Sequence, residues 1–145
     1  MKKCGNCGSK ELSKRNQKGK IFPWRDYPAV QLIADVMFME CHQCNNVVLS
    51  VSDHQKLDEV IVKSIQYATS SLIGMILLKS KCTQVELSIH AGVSKEYLSE
   101  IKSGRKQPSF QMFTLLKILA FGKDAFSISD PKYELIDKID EYEAG

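Results

Sequence analysis

Four cysteines in two tight pairs constrain this chain more than any other feature. Cys4 and Cys7 form one Cys-x-x-Cys pair, Cys41 and Cys44 form a second, and 33 residues lie between the pairs. Two residues between thiols let both sulfurs of one turn reach the same ion, and two such turns complete a tetrahedral four-sulfur site. The first turn carries Gly5 and Gly8, the second Asn45 and Asn46, residues that tolerate left-handed backbone. The chain opens Met-Lys-Lys-Cys-Gly without an apolar leader, and its longest apolar run, residues 72–78, is too short for a bilayer. A cytoplasmic location without membrane contact is therefore expected. In that reducing compartment the pairs favour a metal over disulfides, and structural Zn2+ is the expected cofactor. A thioredoxin-like redox pair, a catalytic zinc with an open position and an iron–sulfur cluster compete for the same thiols. His42 reads as a turn residue rather than a ligand, and the isolated Cys82 as a small core residue.

The loop between the pairs holds β-branched and aromatic stretches at 20–24, 29–34 and 36–41, and another follows at 47–52. They predict a small antiparallel sheet of three or four strands with the two cysteine turns side by side at one end. So small a sheet needs a staple, which an ion supplies. From Asp53 the texture turns helical. Leu57, Val60, Ile61 and Ile65 share one stripe of a helix over 53–66, capped by Ser52 or Asp53. Thr69, Ser70 and Ser71 mark the expected break before a second apolar helix over 71–79. The organisation read from this is a zinc-binding α/β module at 1–66 and an all-α domain of five helices at 67–145.

Residues 81–105 are the most informative stretch. Thr83 caps a short helix with Glu86 completing a capping box, Leu87 and Ala91 face inward, and Gly92 ends the helix left-handed. Ser94 caps a second helix with Leu98 and Ile101 inward, and Gly104 stops it. Two short helices across a glycine turn make a helix-turn-helix. The second would present Lys95, Glu96, Ser99 and Glu100 to base edges. Charge agrees, since residues 63–126 carry nine Lys/Arg against four Asp/Glu while 127–145 carry two against six. A basic middle segment suits a polyanion.

Thr83-Gln84-x-Glu86-Leu87, Gly92-Val93-Ser94, Leu98-Ser99 and Gly104-Arg105-x-x-Pro108-Ser109 resemble the Cro and phage-repressor, or Xre, type of helix-turn-helix over about 65–126. With the cysteine pairs in front, the whole chain resembles the MqsA group of antitoxins, which join a YgiT-type zinc domain to such a DNA-binding domain. The resemblance implies metal ligation by Cys4, Cys7, Cys41 and Cys44. It also implies a homodimer that represses its own operon and, through the zinc domain, neutralises an RNA-cleaving toxin. A stand-alone zinc-containing regulator without a toxin is the alternative. Gln84 matches a phosphate-binding position and Lys95, Glu96 and Glu100 match base-reading ones; Ser94, Ser99, Arg105 and Lys106 complete the expected DNA contacts. At the positions of Glu96 and Glu100 the MqsA group carries Asn and Arg. Carboxylates can accept from cytosine N4 but approach phosphates at an electrostatic cost. Lys95, Lys102, Arg105 and Lys106 would have to offset it.

Phe110, Phe113, Leu116, Ile118, Leu119 and Phe121 repeat at helical spacing after Pro108 and read as core. Residues 130–143 predict a last acidic helix. Val85 and Ile89, four apart where this fold is usually polar, read as edge packing or a contact surface, and Trp24 as a buried ring of the small sheet or an exposed anchor. Three histidines without a credible nucleophile–base pair give no support to an enzyme.

Overall fold

A computed structural model describes residues 2–122. Strands β1 (Leu12–Asn16), β2 (Ile21–Trp24), β3 (Tyr27–Gln31), β4 (Met37–Cys41) and β5 (Val47–Val48) come first. Helices α1 (Val51–Ser80), α2 (Gln84–Ala91), α3 (Lys95–Ser103) and α4 (Phe110–Phe121) follow. The strands form two antiparallel sheets rather than one. β4 lies between β1 and β5 in the first, and β2 pairs with β3 in the second. The register of β1 on β4 sets Leu12 opposite Cys41, so the two cysteine turns meet at one end of the sheet. β1 has a polar sequence, Leu-Ser-Lys-Arg-Asn, whose last three residues face solvent, which is why alternation alone does not reveal it.

α1 begins at Ser50, whose hydroxyl accepts from the Asp53 amide while the Asp53 carboxylate accepts from the Ser50 amide at 2.9 Å. It then runs unbroken for 30 residues. The break expected at Thr69, Ser70 and Ser71 does not occur. Buried hydroxyls in this helix bond back one turn, Ser64 to the Val60 carbonyl and Thr69 to the Ile65 carbonyl, each at 2.7 Å. That satisfies the side chains without an exit from the helix. The boundary expected at 66/67 falls inside α1.

These findings correct the expected fold class. Up to Val51 the chain is strands and turns, and among the described residues four helices follow, not a separate five-helix C-terminal domain. The two helices expected on either side of residue 70 are one. The acidic helix expected at 130–143 lies outside the described residues.

One apolar cluster spans sheet and helices. Tyr27, Val30 and Phe38 from the strands and Leu32 just after β3 pack with Ile61, Ile65, Leu72 and Ile76 of α1, Leu98 and Ile101 of α3, and Phe113 and Leu116 of α4. Among the described residues α1 alone is long and apolar enough to cross a membrane. More than half of its most apolar 18-residue window, 56%, is covered by the rest of the chain, as in the core helix of a folded domain.

Tyr27 ties the β2–β3 hairpin to the start of α4. The Tyr27 hydroxyl donates to the Pro108 carbonyl at 2.7 Å, and its ring meets Phe110 and Phe113 edge-on at 5.5 and 5.7 Å. Burial holds the Tyr27 hydroxyl well above the usual tyrosine range. On β4 of the first sheet, buried Glu40 accepts from Lys20 at 2.7 Å and from Gln17 at 3.4 Å, and the Lys20 ammonium keeps its carboxyl below the ordinary value.

Candidate metal centre and nucleic-acid interface

The two cysteine turns are built alike. In each, the amide of the first cysteine donates to the carbonyl five residues on, Cys4 to Ser9 at 2.8 Å and Cys41 to Asn46 at 2.9 Å. Its own carbonyl accepts from the amide four residues on, Gly8 at 2.8 Å and Asn45 at 3.0 Å. That fourth residue is left-handed in both turns, φ 75° at Gly8 and 59° at Asn45. Side chains with a β-carbon resist this region, so glycine serves in one turn and asparagine, the best of the rest, in the other. The pattern points both thiols of a turn to the same side. Across the pair, Cys4 Sγ lies 3.5 Å from Cys44 Sγ and Cys7 Sγ lies 3.5 Å from Cys41 Sγ.

All four sulfurs fall within 4.8 Å of one another, and no disulfide joins them. Sulfurs held about 2.3 Å from a tetrahedral ion stand about 3.8 Å apart. The cluster therefore fits one metal ion and leaves no room between the thiols for several iron atoms. Electrostatics agree. The amides of Cys7 and Asn6 favour the Cys4 thiolate, lowering it to about 6, and those of Cys44 and Gln43 lower Cys41. The Ser9 amide favours a thiolate at Cys7 too, but the neighbouring sulfurs outweigh it and push Cys7 up to about 12. The neighbouring sulfurs thus hold the Cys7 proton in place, and a cation at the centre would remove that conflict. His42 is exposed and stands outside the cluster, and Cys82 packs half-buried against the core.

The helix-turn-helix forms at the expected positions. Thr83 accepts from the Glu86 amide and Ser94 from the Tyr97 amide at the two N-caps, and Gly92 and Gly104 close the helices at φ 71° and 83°. The Gly104 carbonyl accepts from Gln66 Nε2 at 2.9 Å, so α1 holds the end of α3 in place. Leu87, Leu98 and Ile101 are buried, as their spacing predicts.

Six of the eight sequence-predicted DNA contacts, Gln84, Lys95, Glu96, Ser99, Glu100 and Arg105, line one open depression between α2 and α3, together with Val85. The other two sit beside it. Ser94 is spent on the α3 cap, and Lys106 pairs with Glu100 at 3.1 Å. Lys102 donates to Gln84 Oε1, the side-chain amide oxygen, at 3.4 Å, bridging α3 to the start of α2. Val85 and Ile89 are both exposed rather than packed as an edge, so α2 carries a bare apolar strip beside the depression.

Residue spacing gives no sign of a second cleft between hairpin and helices. There Trp24, with Arg25 stacked 4.5 Å above its ring, faces Tyr97, Gln107 and Phe110. Its two sides lie far apart in sequence, and the Tyr27 anchor brings them together. No family model matches this chain, and no curated protein matches it.

Proposed function

We propose that this chain is a DNA-binding repressor whose helix-turn-helix reads a double-stranded operator and whose four cysteines hold a structural Zn2+ ion. The observation that carries the reading is the gathering of Gln84 of α2, Lys95, Glu96, Ser99 and Glu100 of α3, and Arg105 just beyond α3 around one open depression, over helices whose opposite faces are buried. A rigid helix edged with cations and short polar groups suits a major groove, with the cations positioning the backbone and the N-terminal residues of α3 reaching base edges. Four thiolates fill every position of a tetrahedral ion, so the metal staples the fold and offers no open site. Zinc is the ion that four cytoplasmic thiolates most commonly take in this geometry.

The order of a four-thiolate module before a Cro-type helix-turn-helix extends the reading to an autorepressing, cytoplasmic, homodimeric antitoxin of the MqsA type. The cysteine-bearing half would then bind an RNA-cleaving toxin. Fluorescence anisotropy with the chain's own upstream DNA tests the repressor reading. Binding should fall steeply with salt, and Arg105→Ala should lower the slope of log K against log salt by about 1. Affinity for that DNA no greater than for scrambled DNA would overturn the reading. Metal analysis of the purified protein should return one zinc per chain. Purification from native cells should yield a small basic protein in equal amount; a protein recovered with DNA alone would replace the antitoxin by a stand-alone regulator.

A further inference from the structure

α3 turns two carboxylates toward the open depression, and their surroundings differ. Glu100 is half-buried and paired with Lys106 at 3.1 Å. Glu96, one helical turn earlier, is exposed and lines the same depression, and among the described residues it takes part in no hydrogen bond or ion pair. It sits in the first turn of α3, where the positive end of the helix favours a negative charge. The two glutamates are therefore unequal: one is neutralised within the protein, the other is left for a ligand.

An ionised carboxylate can only accept hydrogen bonds. In the major groove guanine offers two acceptors, thymine an acceptor and a methyl group, and adenine a donor with an acceptor beside it. Cytosine alone offers a donor, its N4 amine, with no acceptor next to it. Facing guanine or thymine, the Glu96 carboxylate meets only acceptors and is repelled; facing adenine, the acceptor beside the donor offsets the bond it could accept. Lys95 and Arg105, lining the same depression, supply the cations that let a carboxylate approach the duplex at all.

We propose that Glu96 is the specificity-determining residue of this helix and selects a cytosine in the operator strand it faces, while Glu100, held by Lys106, contributes no base preference. The proposal rests on the DNA-reading function above. It differs from it in assigning the base and in separating two residues that the sequence presents as equivalent.

Selection of binding sites from a randomised duplex pool tests it, using the full chain and its E96A, E96Q and E100Q variants. The wild-type pool should fix cytosine at one position, disfavouring each other base there by about 5- to 150-fold. E96A should lose that preference with the remaining positions unchanged. E96Q should move it to adenine, whose donor–acceptor edge matches an amide. E100Q should leave it intact. Cytosine retained by E96A, or lost in E100Q, would overturn the proposal while leaving DNA reading in place. A wild-type pool that enriches no sequence would overturn the DNA-reading function and this assignment with it.

Discussion

Tyr27→Phe removes one oxygen from the joint between the β2–β3 hairpin and the helices. The ring stays, with its edge contacts to Phe110 and Phe113, so the change removes only the hydroxyl's bonds, to the Pro108 carbonyl at 2.7 Å and the Ser109 carbonyl at 3.4 Å. Tyr27 is 4% exposed and Pro108 is buried, so the carbonyl loses its hydroxyl partner in a largely covered joint. An orphaned buried carbonyl costs about 1–3 kcal/mol, which in a domain of this size lowers the melting temperature by about 4–12 °C. Trp24, the chain's one tryptophan, lies 6.2 Å from the Tyr27 ring and reports on the hairpin, while far-ultraviolet circular dichroism reports on the helices. In urea both signals should move together in the wild type, and both midpoints should fall in the variant. pH supplies a second check. Burial raises the Tyr27 hydroxyl above the unfolded value near 10, so the unfolded chain ionises first and wild-type stability declines as pH rises past that point. The variant's phenyl ring has no such proton, so the gap between the two proteins should narrow in alkali. A change below about 0.5 kcal/mol, or a wild-type tryptophan transition preceding the helical one, would refute the view that one core joins hairpin and helices.

Other residues give sharper local tests. Gly104→Ala should cost about 1 kcal/mol more than Gly92→Ala in urea unfolding. Both positions are left-handed, but a β-carbon at 104 would stand 3.1 Å from Gln66 Cδ and disturb its bond to the Gly104 carbonyl, whereas at 92 it meets nothing within 4 Å. Equal costs would remove Gln66 as a latch on α3. Glu40→Gln should destabilise by about 1 kcal/mol at neutral pH, discounted for the exposed side of Lys20. Because Glu40 is held below its unfolded value, wild-type stability from this pair is present above the ordinary carboxylate range and is lost in acid, where the two proteins should converge. Stripping the proposed metal with a strong chelator should lower the urea midpoint of the helical signal as well as that of Trp24. A helical midpoint unchanged between the two forms would show that the cluster stabilises only its own sheet.

Residues with a strict local meaning were legible in the sequence. Thr83, Ser94, Gly92 and Gly104 announce their caps because a hydroxyl oxygen or a left-handed backbone has few other uses there. The cysteine spacing gives the cluster for the same reason, as Gly8 and Asn45 give its turns. Features decided by tertiary packing were not legible. Thr69 and Ser71 look like a helix break until the interior offers no water to compete for Thr69, whose hydroxyl then turns back on Ile65. The polar strand β1 exists because β4 pairs with it, not through any propensity of its own. Leu119 fits the apolar repeat of α4 yet is exposed, while Lys117 on the same helix is buried, with burial lowering its pKa. Within the candidate DNA site, residue types could place Glu96 and Glu100 on one face but could not show that Lys106 claims only one of them.

The bond between Tyr27 and Pro108 spans 81 residues, and it sets an order of events during synthesis. A ribosome adding about 5–20 residues each second needs roughly 4–16 s to carry the chain from the hairpin to its seat. The cysteine cluster can close earlier, once Cys44 has emerged, while the face that Tyr27 will present to α4 is still bare. A nascent chain paused in that window would leave the Tyr27 ring without the Phe110 and Phe113 rings that cover it in the finished fold.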